Sequence, residues 1–190
     1  MASLAFVLRK IGDLNGALCI LTNLATLAPK SPELLQSLGY IQDDLFQYAP
    51  ALENMRKAIK LDPKMYYPRF RIWLLRVRLG EKDAATAELS ANIKIREGEE
   101  GHEWQLCIAR FLVGDLTETN FLTQATETAM RPTDQDGQQC EAFYYAGMKH
   151  FLDGDKSGAA NFFGKCIATG QNNYAEYTSA MVELSEMKKP

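Results

Sequence analysis

The run Tyr66-Tyr67-Pro68-Arg69-Phe70-Arg71-Ile72-Trp73-Leu74-Leu75-Arg76-Val77-Arg78 gathers the side chains best able to recognise another molecule. On a helix, Arg69 and Arg76 share one face and Arg71 and Arg78 another, each pair at i and i+7. Guanidinium groups bind carboxylates through paired, charge-assisted hydrogen bonds and also stack on aromatic rings. A water-facing ridge of this kind suits an acidic peptide segment. The plainer reading is a core helix whose arginines reach solvent or pair with neighbouring acids. If the ridge faces water, reversing Arg71 and Arg78 costs little stability. Nucleic acid fits poorly as a partner, because the formal charge is −3 and the rest of the chain is acidic.

No catalytic or metal-binding constellation stands out. His102 precedes a predicted helix and His150 lies within one, neither with an acid or nucleophile at a recognisable spacing. There is no phosphate-binding glycine loop. Cys19, Cys107, Cys140 and Cys166 form no CxxC and no Cys/His cluster with zinc spacing. They read as small buried hydrophobes, which leans towards a reducing compartment. The expectation is a non-enzyme without cofactor or metal. Hydrophobic residues make up 46% and charged residues 24%, as in ordinary soluble domains. No uncharged apolar run is long enough to cross a bilayer, so direct membrane insertion is not expected of this segment.

The frame that must position these residues is periodic. Gly80 and Gly114 lie 34 residues apart, and Ala17, Ala51 and Ala85 step by 34, as do Pro29 and Pro63. A fixed period of this size marks a stack of identical supersecondary units, and 34 with small residues at these places reads as tetratricopeptide (TPR) helix hairpins. The fold class expected is therefore all-α: a right-handed TPR superhelix, an α-α hairpin solenoid with a C-terminal capping helix. Residues 1–190 read as a single solenoid, with repeats at about 1–31, 32–65, 66–99, a degenerate 100–139 and 140–173, then the cap at 174–187.

Local signals support this division. Gly12-Asp13, Gly80, Gly114-Asp115 and Gly154-Asp155 mark turns between paired helices, glycine for the left-handed C′ position and aspartate for the next N-cap. Phe46 takes the glycine's place in the second repeat, so that turn is expected to differ. Met130 to Gln139 is polar and rich in turn formers, and reads as a loop. Ala51, Ala85 and Ala159 are expected at buried helix crossings. Counting back from Gly12 places Met1 at position 4 of a repeat, so the chain is expected to begin inside a first helix, with residues lost upstream. Leu4, Phe6, Leu8 and Ile11 would then lack a neighbour, which favours self-association.

In a TPR stack the first helices line a groove. Here the groove positions and the arginine ridge give Tyr40, Asp43, Tyr67, Phe70, Arg71, Leu74, Arg78, Trp104, Tyr144 and Met148 as the candidate partner-binding set. Aromatics and methionine suit the capture of a protein segment or peptide. Gln36 and Tyr40 stand where TPR domains that clamp a C-terminal carboxylate place lysine and asparagine, so that ligand class is not expected.

From Trp73 to Met187 the chain also resembles the C-terminal half of the NlpI-type TPR lipoproteins of bacterial envelopes. The residues that carry the likeness are Trp104 ahead of Gly114, Cys140-Glu141-Ala142, Gly147, Gly154-Asp155, and Tyr174-Ala175-Glu176-Tyr177 leading to Glu183-Leu184. The resemblance implies a dimeric adaptor, periplasmic and outer-membrane-attached, that docks a protease and cell-wall hydrolases. The chain has no lipidation cysteine near its start. Its four cysteines favour the alternative, a cytoplasmic TPR chaperone or assembly factor. A structural self-association module is the third reading.

Overall fold

A computed structural model of the chain describes residues 2–127 and 132–189. Among the described residues there are eleven helices and no strand. The chain divides into two compact units, Met1–Lys82 and Asp83–Pro190.

The first unit holds α1 (Ala2–Lys10), α2 (Leu14–Leu27), α3 (Pro32–Asp44), α4 (Tyr48–Leu61) and α5 (Tyr67–Arg78). Helices α1/α2 and α3/α4 are hairpins, and α5 packs on α4. Small residues set the crossings: Ala17, Ala51 and Ala58 are wholly buried, and a Cβ on Gly39 would come within 2.9 Å of the Met55 side chain. Asp13 caps α2 by accepting from the Gly16 amide at 2.9 Å, and Ser31 caps α3 by accepting from the Leu34 amide. Trp73 of α5 lies in the core.

The turn at Phe46 does not differ. Phe46 takes φ +59°, the left-handed region that Gly12, Gly80, Gly114 and Gly154 occupy in the other turns. It also makes the same two bonds. The Phe46 amide donates to the Asp43 carbonyl and the Gln47 amide to the Gln42 carbonyl, as Gly80 does to Val77 and Glu81 to Arg76. This paired closure satisfies the carbonyls a helix end leaves open, and it overrides the local preference of an aromatic residue for negative φ. The Phe46 ring meets the Tyr48 ring edge-on at 6.3 Å.

The second unit holds α6 (Lys82–Arg96, its first residue in the other unit), α7 (Glu103–Val113), α8 (Glu118–Glu127), α9 (Pro132–Leu152), α10 (Lys156–Ala168) and α11 (Ala175–Met187). Gly98 and Gly101, both at positive φ, form the polar connection after α6. Helix α10 packs against both α9 and α11, which also touch each other. The thin apolar face of α8 is offset by one ring: Phe121 stacks on Phe111 at 4.2 Å and on Trp104 at 5.4 Å.

The expected loop at 130–139 is corrected from Pro132 onward; residues 130 and 131 lie outside the described residues. Helix α9 has 21 residues, against 11 in α7, and it takes in residues 132–139 at its N-terminal end. Gly137 is therefore no turn glycine. A Cβ there would collide with the Tyr174 phenol, so glycine lets α9 approach the start of α11 closely. Gly147 serves the same end on α10, where a Cβ would come within 2.7 Å of the Phe163 ring.

Candidate functional site

In the first unit, successive first helices are tied side by side by arginines. Arg9 of α1 donates from Nε to Asp44 of α3 at 2.7 Å. Arg71 of α5 donates from Nη1 to Asp43 of α3 at 3.1 Å. Tyr40 lies between them, with the Arg9 and Arg71 guanidinium carbons 5.4 and 4.8 Å from its ring centre. Burial pushes the Asp43 carboxyl up, against the pull of Arg71 and Arg78.

The ridge expected to face water does so only in part. Arg71 has 0% exposure, and Asp43, Phe70 and Leu74 are buried with it. Tyr67 and Arg78 are half-buried. Tyr67 meets Phe70 edge-on at 5.7 Å, and Arg78 donates to the Tyr48 hydroxyl at 2.6 Å. Arg69 bonds the Pro63 carbonyl and Arg76 pairs with Glu81. The reason is spacing. Tyr67, Phe70, Arg71, Leu74 and Arg78 follow a helical stripe, whose middle is covered and whose two ends reach the surface. The expectation that Arg71 can be reversed at little cost is overturned by this burial.

The other three candidates lie in the second unit and are buried. Trp104 of α7 donates its indole N–H to the Glu141 carboxylate of α9. Tyr144 and Met148 of α9 are buried, with Tyr144 6.2 Å from the Phe163 ring. Tyr145 donates to Glu176 of α11 at 3.2 Å. Lys149 caps the end of α7 through the Phe111 carbonyl at 2.8 Å. So α7, α9 and α11 are linked in turn, as α1, α3 and α5 are.

One cluster escaped the sequence reading. His150 has acids on both ring nitrogens: Asp155 is 2.7 Å from Nδ1 and Glu118 is 2.8 Å from Nε2. Burial is the largest single influence and depresses its pKa, but the two carboxylates together outweigh it, and the net shift is upward. Asp155 also caps α10 through the Gly158 amide at 2.9 Å. The missing signal was the turn. The closure that bonds the Asp155 amide to the His150 carbonyl folds residue i+5 back onto residue i, and the same turn after α5 brings Glu81 onto Arg76 at 2.7 Å. Among the described residues no group of three His, Cys, Asp or Glu is placed to hold a metal. Of the cysteines, Cys107, Cys140 and Cys166 are buried as expected, whereas Cys19 is exposed on α2.

Both units are built from helix hairpins whose turns repeat one geometry, and the chain is an all-α helical-repeat protein of TPR-like build. No protein-family model matches it. A stretch of 55 residues is 40% identical to the CTR9 homolog of Arabidopsis thaliana, covering 29% of this chain and 5% of that much longer protein. Among solved structures, the MamA protein aligns over 89% of each chain at 17% identity, with a TM-score of 0.46. No helix among the described residues is long and apolar enough to cross a membrane.

Proposed function

We propose that this chain is a protein-interaction scaffold that holds a segment of a partner along the face shared by α3 and α5. The observation that carries this reading is the assembly of seven of the ten candidate residues on that one pair of helices, joined through Arg71, Asp43 and Tyr40. In this reading Tyr67 and Arg78 touch the partner, while Arg71, Asp43 and Tyr40 hold the helices that present them. Trp104, Tyr144 and Met148 support the second unit from within. A narrower form is an envelope adaptor for a protease or cell-wall hydrolases. Its support is the resemblance of residues 73–187 alone.

The test is binding of acidic, aromatic-containing peptides to the wild type and to a Tyr67→Ala/Arg78→Glu variant, beside melting curves of both. Weaker binding, with a weaker salt dependence and a melting midpoint lowered by only a few degrees, is the expected result. Equal binding by both proteins would move the partner surface off this face.

A further inference from the structure

We propose that Cys140 and Cys166 are an oxidisable pair that closes into a disulfide and staples α9 to α10. Their sulfurs stand 3.5 Å apart, across a sequence separation of 26, and both residues are wholly buried. Packing builds in the facing. Two turns along α9 from Cys140, Gly147 lies against Phe163, which is one turn before Cys166 on α10. That contact sets the helix register and with it the meeting of the thiols. Reaching the bonding distance of about 2.05 Å requires the sulfurs to close by about 1.5 Å, a small side-chain rotation.

The other cysteines do not compete from within this hairpin. Cys19 is on α2 in the other unit. Cys107 is on α7, outside the α9/α10 hairpin.

The oxidant class is a peroxide, admitted during local openings of the hairpin. One thiolate attacks a peroxide oxygen; the S–O bond forms, the O–O bond breaks, and the departing hydroxide takes up the thiol proton as water. The second sulfur then attacks the sulfenic sulfur. The S–S bond forms, the S–O bond breaks, and a second water leaves with the remaining proton. Two thiols and one hydrogen peroxide yield one disulfide and two waters.

The experiment treats the full native chain with hydrogen peroxide, blocks remaining thiols in denaturant, and maps the digest by mass spectrometry. The expected product is a linked Cys140–Cys166 peptide that dithiothreitol releases. Oxidation should also raise the unfolding midpoint by roughly 5–10 °C, as expected for a cross-link of this span. A Cys19→Ser variant should behave as wild type, and Cys166→Ala should lose both the linked peptide and the rise. Recovery of Cys140 and Cys166 as blocked thiols or sulfinic acids would overturn the proposal. So would linkages no more selective than those formed by the chain oxidised in urea. Peptide mapping of the wild type decides the matter even if the Cys166→Ala variant folds poorly.

Discussion

Arg71 and Asp43 are both taken out of water, and each offsets much of the cost of burying the other. Removing one partner of such a pair strands a buried charge. Arg71→Ala is expected to lose about 3–5 kcal/mol in urea unfolding, and a loss under about 1 kcal/mol would show that the site admits water. Arg78, half-buried against Tyr48, should lose only about 1 kcal/mol on reversal to glutamate. The sequence did show which residues would share a stripe. It could not show which part of the stripe would be covered, because that depends on Asp43 and Tyr40, and Asp43 stands 28 positions before Arg71. His150 was unreadable for a related reason, since Glu118 reaches it from 32 positions upstream. Its folded pKa is raised above the ordinary 6.5. Its stabilising contribution is therefore complete below that value and is lost as pH rises through the folded pKa. The stability gap between wild type and His150→Gln should accordingly shrink from mildly acidic to alkaline pH, as followed by urea titration. A gap that stays constant would mean the charge on the ring contributes nothing.

At the level of elements, the hairpins were legible because their determinants are local. Proline stops, aspartate caps and alanine crossings lie within a repeat and recur with it. The loop expected at 130–139 was misread because Gly137 carries two possible meanings. As a turn former it ends a helix; as a residue without Cβ it admits Tyr174, and only the tertiary neighbour distinguishes them. Glycine thus has two kinds of role here, and they respond differently to alanine. Gly80 has a positive φ and open space around it, so Gly80→Ala pays conformational strain alone, about 1 kcal/mol. Gly147 faces the Phe163 ring, and Gly147→Ala should cost about 1–3 kcal/mol through overpacking. Thermal melts of the two variants should rank them in that order; the reverse order would mean that Phe163 moves aside freely.

For the whole molecule, the apolar side chains of α1 and of Ile11 just after it bear on association. Leu4, Phe6, Val7 and Ile11 are exposed, Ile11 at 72%, while the buried side of α1 is held by Ala5 and Arg9. A grouped apolar set of this kind favours contact with a second copy. Sedimentation is expected to show reversible self-association that a Phe6→Glu/Ile11→Glu variant loses; a monomer at every concentration in the wild type would exclude it. The two tryptophans give the molecule an optical property. Trp73 is buried in the first unit, and Trp104 is buried in the second against the Glu141 carboxylate. The chain has no other tryptophan, so each unit carries one intrinsic fluorophore. Emission from a Trp104→Phe variant reports the melting of the first unit, and emission from a Trp73→Phe variant that of the second, without any added label.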